Sequence, residues 1–269
     1  MFKAAALLKR KKGMSMPEFI DYYEAVHAPL VVKRVPNFKK YVRHFLTSFG
    51  NEEYGVDDLP YDAITEMWFD DRADFERGMA YLTEPAAWAE IMADVDNLLQ
   101  KDLIRFVTFD DRESELGKGR SGDTCQGTKR MFKAAALLKR KKDTTMAEFI
   151  EHYESVHALL AVKGVPSLKK YVRHFLTPVG IGENGAEIEL PYDAITEIWF
   201  DDRADFERGM AELIAPATRA AIIADEVNLF EKDLIRFVIF EDRESELGKG
   251  YSYTAANASN MSETGKEKQ

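Results

Sequence analysis

The 269-residue chain holds a single cysteine, Cys125, in a polar, glycine-rich stretch, so an intramolecular disulfide is excluded. A disulfide-free chain suits a reducing compartment. The apolar stretch near the start, Ala4–Leu8, is short and runs into Lys9–Lys12, which is not the pattern of a signal peptide. No run approaches the roughly 18 apolar residues of a membrane span. A cytoplasmic location is the expectation. Basic excess is missing too: 37 Lys and Arg face 47 Asp and Glu, a formal net charge of −10. Such a surface argues against nucleic acid or an anionic membrane as partner. There is no G-x-G-x-x-G, no P-loop, no H-x-x-x-H and no Cys/His cluster, so no cofactor and no metal is expected.

What the chain does have is self-similarity. MFKAAALLKRKK begins at Met1 and again at Met131, WFDDRADFERGMA at Trp68 and Trp199, and DRESELGKG at Asp111 and Asp242. Residues 1–50 match 131–180 at 36 of 50 positions, and 60–119 match 191–250 at 46 of 60. The chain therefore divides into copy 1 (1–119), a linker (120–130), copy 2 (131–250) and a polar tail (251–269) expected to be disordered.

Within one copy, Phe2–Lys11 is a strand candidate, although alanine is a weak strand former. Ser15-Met16-Pro17-Glu18 is a capping box with proline in the first turn, repeated as Thr145-Met146-Ala147-Glu148. It predicts a helix from Met16 to about Val26, stopped by Pro29. Phe38–Thr47 and Asp62–Phe69 read as strands, Arg72–Leu82 and Pro85–Leu99 as helices, and Leu103–Phe109 as the last strand. The order β-α-β-β-α-β is the ferredoxin-like unit. One sheet face takes the helices, and the other is also apolar and needs a cover, which the second copy supplies. The expected fold is α+β: two ferredoxin-like βαββαβ domains packed sheet-to-sheet as an intramolecular dimeric α+β barrel, with a small-molecule cavity between the sheets. A monomer with an internal pseudo-dimer, seen as about 31 kDa by light scattering, is the simplest assembly, with further pairing through strand edges or the RESELGKG segments as the alternative.

Several side chains are candidates for chemistry. His27 and His157 fall at the end of the first helix, one turn after Tyr23 and Tyr153. Each histidine is either a proton-moving group or a cap on helix carbonyls. Each tyrosine is either an oxyanion donor or a core aromatic. Glu66 and Glu197 lie mid-strand between apolar neighbours, where a carboxylate is costly unless paired. Arg43, His44 or Arg105 are possible partners, and burial is expected to raise the carboxyl pKa. Trp68, Trp199, His44, His174, Arg43 and Arg105 are candidate substrate-binding residues.

The segment EFIDYYEAVHAPLVVKRVPNFKKYV (Glu18–Val42) followed by YDAITEMWFDD (Tyr61–Asp71) closely resembles the EthD family, and the likeness covers most of each copy. The resemblance implies a dimeric α+β barrel, among whose members are lactone isomerases, cofactor-free anthrone oxygenases, polyketide cyclases and haem enzymes. Copy 2 departs from the pattern: Pro29 is matched by Leu159, Tyr22 by His152, Glu84 by Ala215, Trp88 by Arg219 and Asp96 by Val227, so the two pockets are expected to be inequivalent. The functional expectation is a cofactor-independent lyase or isomerase, catalysing elimination, decarboxylation or double-bond isomerisation on a hydrophobic aromatic or polycyclic carbonyl compound. His27 or His157 is then the base, with Tyr23 or Glu66 as acid or oxyanion stabiliser. The alternative is a non-catalytic carrier or accessory protein for a hydrophobic metabolite.

Overall fold

A computed structural model describes residues 1–50, 59–116, 131–180 and 188–247. The expected linker at 120–130 and tail at 251–269, with Cys125, lie outside the described residues. Copy 1 contains β1 (Phe2–Leu8), α1 (Met16–Tyr22), α2 (Ala28–Arg34), β2 (Lys40–Ser48), β3 (Ala63–Phe69), α3 (Arg72–Thr83), α4 (Pro85–Leu98) and β4 (Arg105–Glu113). Copy 2 repeats this as β5 (Phe132–Leu138), α5 (Met146–His152), α6 (Ala158–Gly164), β6 (Lys170–Pro178), β7 (Ala194–Phe200), α7 (Arg203–Ile214), α8 (Pro216–Leu229) and β8 (Arg236–Glu244). Among the described residues, no helix is long and apolar enough to cross a membrane.

The eight strands close into one antiparallel barrel in the order β1-β3-β2-β8-β5-β7-β6-β4. The two sheets do face each other, and they are also sewn together along both edges. β2 pairs with β8 from Val42↔Glu244 to Ser48↔Val238, and β4 pairs with β6 from Val107↔Pro178 to Glu113↔Val172. β4 runs four residues past the expected Phe109, and β8 as far past its equivalent Phe240, and these added residues pair only with the other copy. The start of the RESELGKG segment is thereby used inside the chain, and each of the eight described strands has a neighbour on both sides.

Period-two alternation sends successive side chains to opposite faces of the wall. Ala4, Ala6, Leu8, Tyr41, Phe45, Ala63, Met67 and Phe69 face the helices, whereas Ala5, Leu7, Leu46, Ile64 and Val107 meet their copy-2 counterparts inside the barrel. The alanines of β1 are buried on both faces, so packing overrides their weak strand propensity.

The first helix departs from expectation. α1 begins at the capping box, where Ser15 accepts from Glu18 N–H and the Glu18 carboxylate answers at the Ser15 backbone. It passes through a π turn, Tyr23–His27, and continues as α2. Pro29 therefore falls in the first turn of α2, directly after the π turn, and does not end the helix. The same π turn occurs in copy 2, where Leu159 replaces the proline, so the proline is not its cause.

Candidate active site

The π turn adds one residue to the helical repeat and brings Tyr23, Glu24 and His27 to the buried side together. His27 Nδ1 lies 2.6 Å from Asp94 Oδ2 of α4. The Tyr23 ring packs edge-on against the His27 ring at 4.7 Å. The Tyr23 hydroxyl is 2.7 Å from Thr65 Oγ1 and 3.3 Å from the Tyr41 hydroxyl. Burial pushes the Tyr23 phenol up to about 12, against the weaker opposing effect of those hydroxyls, so it stays a neutral O–H donor at neutral pH. Glu24 pairs with Arg43 through Arg43 Nε–H···Oε1 at 2.8 Å and a second, shorter contact from Nη2.

His27, Tyr23, Tyr41 and Thr65 line a cavity of about 310 Å³ between the helices and the sheet of copy 1. Its other walls are mostly apolar, with Ala6, Met67, Ile91, Val95 and Leu99, and the half-exposed Trp88. Ala6 carries too little side chain to fill the space above β1. This apolar cavity lies on the helix side of the copy-1 sheet, whereas the space between the sheets holds a separate, more polar chamber.

Copy 2 keeps the dyad but not the space. His157 Nδ1 is 2.8 Å from Asp225 Oδ2, and the Tyr153 hydroxyl is 2.7 Å from Thr196 Oγ1. The cavity there measures about 70 Å³. Phe230 stands where copy 1 has Leu99, and its ring lies 5.0 Å from His157 and 5.7 Å from Tyr153. Glu226 replaces Val95, and burial pushes its carboxyl up. His152, the counterpart of Tyr22, reaches the second oxygen of Asp225 at 2.6 Å. Burial raises the Asp225 carboxyl, but its bonds to His157 and His152 outweigh this and hold it below its ordinary value.

Glu66 and Glu197 point the other way, into the barrel. They border a chamber of about 350 Å³ with His44, His174, Trp68 and Trp199. Trp68 Nε1–H donates to Glu66 at 2.8 Å, and Trp199 Nε1–H to Glu197 at 2.7 Å. His44 Nδ1 is 2.6 Å from Asp242, and His174 Nδ1 is 2.7 Å from Asp111, each aspartate coming from the other copy. Burial lowers both imidazoles, but these carboxylates and the nearby glutamates win, pushing His44 up to about 10 and His174 up to about 9. Burial likewise raises Glu66 and Glu197, yet the histidines hold both below the usual carboxylate range. The expected rise in carboxyl pKa is therefore reversed.

The structure separates the sequence candidates into three places. His27 and Tyr23 share the copy-1 cavity, and His157 and Tyr153 its reduced copy. Glu66, Glu197, His44, His174, Trp68 and Trp199 surround the chamber across the sheet, so Glu66 is not placed to act with His27. Arg43, fully buried, is engaged by Glu24 and by Ser245 of copy 2 and does not pair with Glu66. Arg105 donates to the carbonyls of Asp102 and Ile104 and borders neither space. His44, the neighbour of Arg43 on the opposite face, is the basic residue that faces Glu66, at 3.5 Å. Asp94 was missed by sequence reasoning. Its signal is an acid inside the apolar stripe Ala87, Ile91, Val95, Leu98 of α4.

Comparison with solved structures finds distant likenesses. A candidate monooxygenase of Lactobacillus acidophilus NCFM aligns over 92% of this chain and 96% of its own at 7% identity and a TM-score of 0.43. An anthrone oxidase-like protein aligns over 94% and 96% at 12% identity and 0.49. Chlorite dismutase from Candidatus Nitrospira defluvii, in complex with imidazole, aligns over 89% and 90% at 11% identity and 0.38. At these scores none of them bears on the chemistry. No curated protein matches significantly. The EthD domain matches residues 11–102 and 141–233, one stretch in each copy, and the chain belongs to the EthD domain family.

Proposed function

We propose that the chain is a cofactor-independent enzyme of lyase or isomerase type, working in the copy-1 cavity on a hydrophobic aromatic or polycyclic carbonyl compound. The observation that carries this reading is the buried His27–Asp94 pair in the wall of an otherwise apolar cavity. Asp94 accepts the Nδ1 proton of His27, which fixes the tautomer and leaves the Nε2 lone pair for substrate. Nε2 takes a proton from the carbon next to the carbonyl. The charge then moves to the carbonyl oxygen, where Tyr23, a neutral donor, stabilises it by a hydrogen bond. Returning the proton to another carbon completes an isomerisation, and loss of a leaving group completes an elimination. Apolar walls exclude water and strengthen both interactions. Copy 2 serves as scaffold, because Phe230 occupies the space a substrate ring needs.

The test is exchange of the methyl protons of 2-acetonaphthone, an aromatic ketone, in D₂O, followed by proton NMR. Exchange faster than the buffer rate, abolished by His27→Gln and kept by His157→Gln, is the expected result. Binding of the ketone with no accelerated exchange supports the carrier role and overturns the catalytic one.

A further inference from the structure

The chamber inside the barrel is separate from the copy-1 cavity and takes no part in the chemistry above. Its inner end gathers two histidines and two glutamates, one of each from either copy, on β2, β3, β6 and β7. Each imidazole is gripped at Nδ1 by a carboxylate from the opposite half, at 2.6 Å for His44 and 2.7 Å for His174. That is the outer-sphere arrangement that aims the remaining nitrogen of a metal-bound histidine. Each glutamate has one oxygen tied to a tryptophan N–H and the other facing the histidine of its own copy.

Two further observations point to an occupant. His44, 3% exposed, has its Nε2 buried without a hydrogen-bond partner, the nearest acceptor being Glu66 Oε1 at 3.5 Å. The corresponding His174 Nε2–Glu197 Oε1 separation is 3.3 Å. Ligands held at 2.0–2.1 Å around a tetrahedral zinc are separated by roughly 3.3 Å, so each half already has a pair at ligand spacing. Across the halves, donor atoms of His44, Glu66 and Glu197 all lie within 4.8 Å of one another, so tetrahedral spacing takes a contraction of up to about 1.5 Å by side-chain rotation, and His174 joins the group through its contact with Glu197.

We propose that His44, His174, Glu66 and Glu197 form a four-ligand site for one divalent transition-metal ion of zinc type, cross-linking the two copies. The donor set, imidazole with carboxylate and no thiolate, suits zinc, nickel or cobalt better than calcium or magnesium. With four protein ligands the site is closed, and its role is structural.

The experiment is calorimetric titration of the full chain, freed of metal by chelator dialysis, with zinc chloride at pH 7.5. One zinc per chain is expected, with the melting temperature raised by about 5–10 °C at a free zinc concentration about 100 times Kd. Glu66→Gln and Glu197→Gln are each expected to weaken binding at least tenfold. His152→Gln, in the other His–Asp cluster, is expected to leave it unchanged. Absence of stoichiometric binding, or affinity within threefold of the parent in both glutamate variants, overturns the site. Should those variants fail to fold, the parent protein titrated with cobalt decides. The intense visible bands of a tetrahedral N/O site support the proposal, and the pale spectrum of hydrated cobalt refutes it.

Discussion

Exchange of one side chain between the copies tests whether Phe230 is what closes the second cavity. Leu99 and Phe230 are equivalent positions, yet the cavities beside them measure about 310 and 70 Å³. In copy 2 the phenylalanine ring rests edge-on against His157, Tyr153 and Phe149 at 5.0, 5.7 and 5.9 Å. Leu99→Phe places the same ring before His27 and Tyr23, whose counterparts already accommodate it, so overpacking strain is not expected. Gained aromatic contacts are worth about 0.5–1.5 kcal/mol, and the variant should be as stable as the parent or slightly more so. Binding should suffer, because ligand and ring compete for one space. A tenfold or greater loss of affinity for 2-acetonaphthone, at least about 1.4 kcal/mol, is expected by calorimetry. The reverse change, Phe230→Leu, should cost about 1–2 kcal/mol in urea unfolding through lost ring packing and a larger void. In the double exchange, binding should move to copy 2. Undiminished binding by Leu99→Phe would refute the reasoning, since the ligand then sits elsewhere.

Other consequences follow from the same geometry. Asp94→Asn should reduce ketone exchange at least about 100-fold through loss of the tautomer lock, with little change in KM, as measured by exchange kinetics over ketone concentration. Glu24→Gln leaves Arg43 buried without its counter-charge and should cost about 3–5 kcal/mol in urea denaturation. Glu154→Gln should cost less, because Glu154 is more exposed than Glu24. The Asp225 carboxyl is depressed in the folded state, so its contribution is present above the unfolded value of about 3.9 and is lost as pH falls through the folded one. Asp225→Asn should therefore flatten the decline of melting temperature between about pH 5 and 3, while lowering it at pH 7.

Much of the architecture is readable in the repeated strings, because duplication doubles each signal. Capping boxes at Ser15 and Thr145 and alternating strands at Ala63–Phe69 and Ala194–Phe200 set the element order. The lateral seams are not readable, since the pairing of Val42 with Glu244 is a contact 202 residues apart with no local cause. Alternation places Arg43 and His44 on opposite faces but does not say which face meets the helices. Hence both stood as partners of Glu66, and only His44 is one. The direction of the Glu66 pKa was misjudged for a related reason: the aspartate that keeps His44 charged, Asp242, belongs to the other copy. Sequence comparison of the copies drew attention to Trp88/Arg219 and Pro29/Leu159, whereas the conservative Leu99/Phe230 difference sets a ring against His157 and Tyr153. A change between two apolar residues carries no polarity signal, and its effect is visible only as volume.

The most direct test of the central claim is a crystal structure of the protein with 2-acetonaphthone. The naphthyl ring is expected against Met67, Ile91 and Leu99 in copy 1, with the carbonyl oxygen within about 3 Å of the Tyr23 hydroxyl and the methyl facing His27. Ligand density in copy 2 or inside the barrel, with the copy-1 cavity empty, would contradict it.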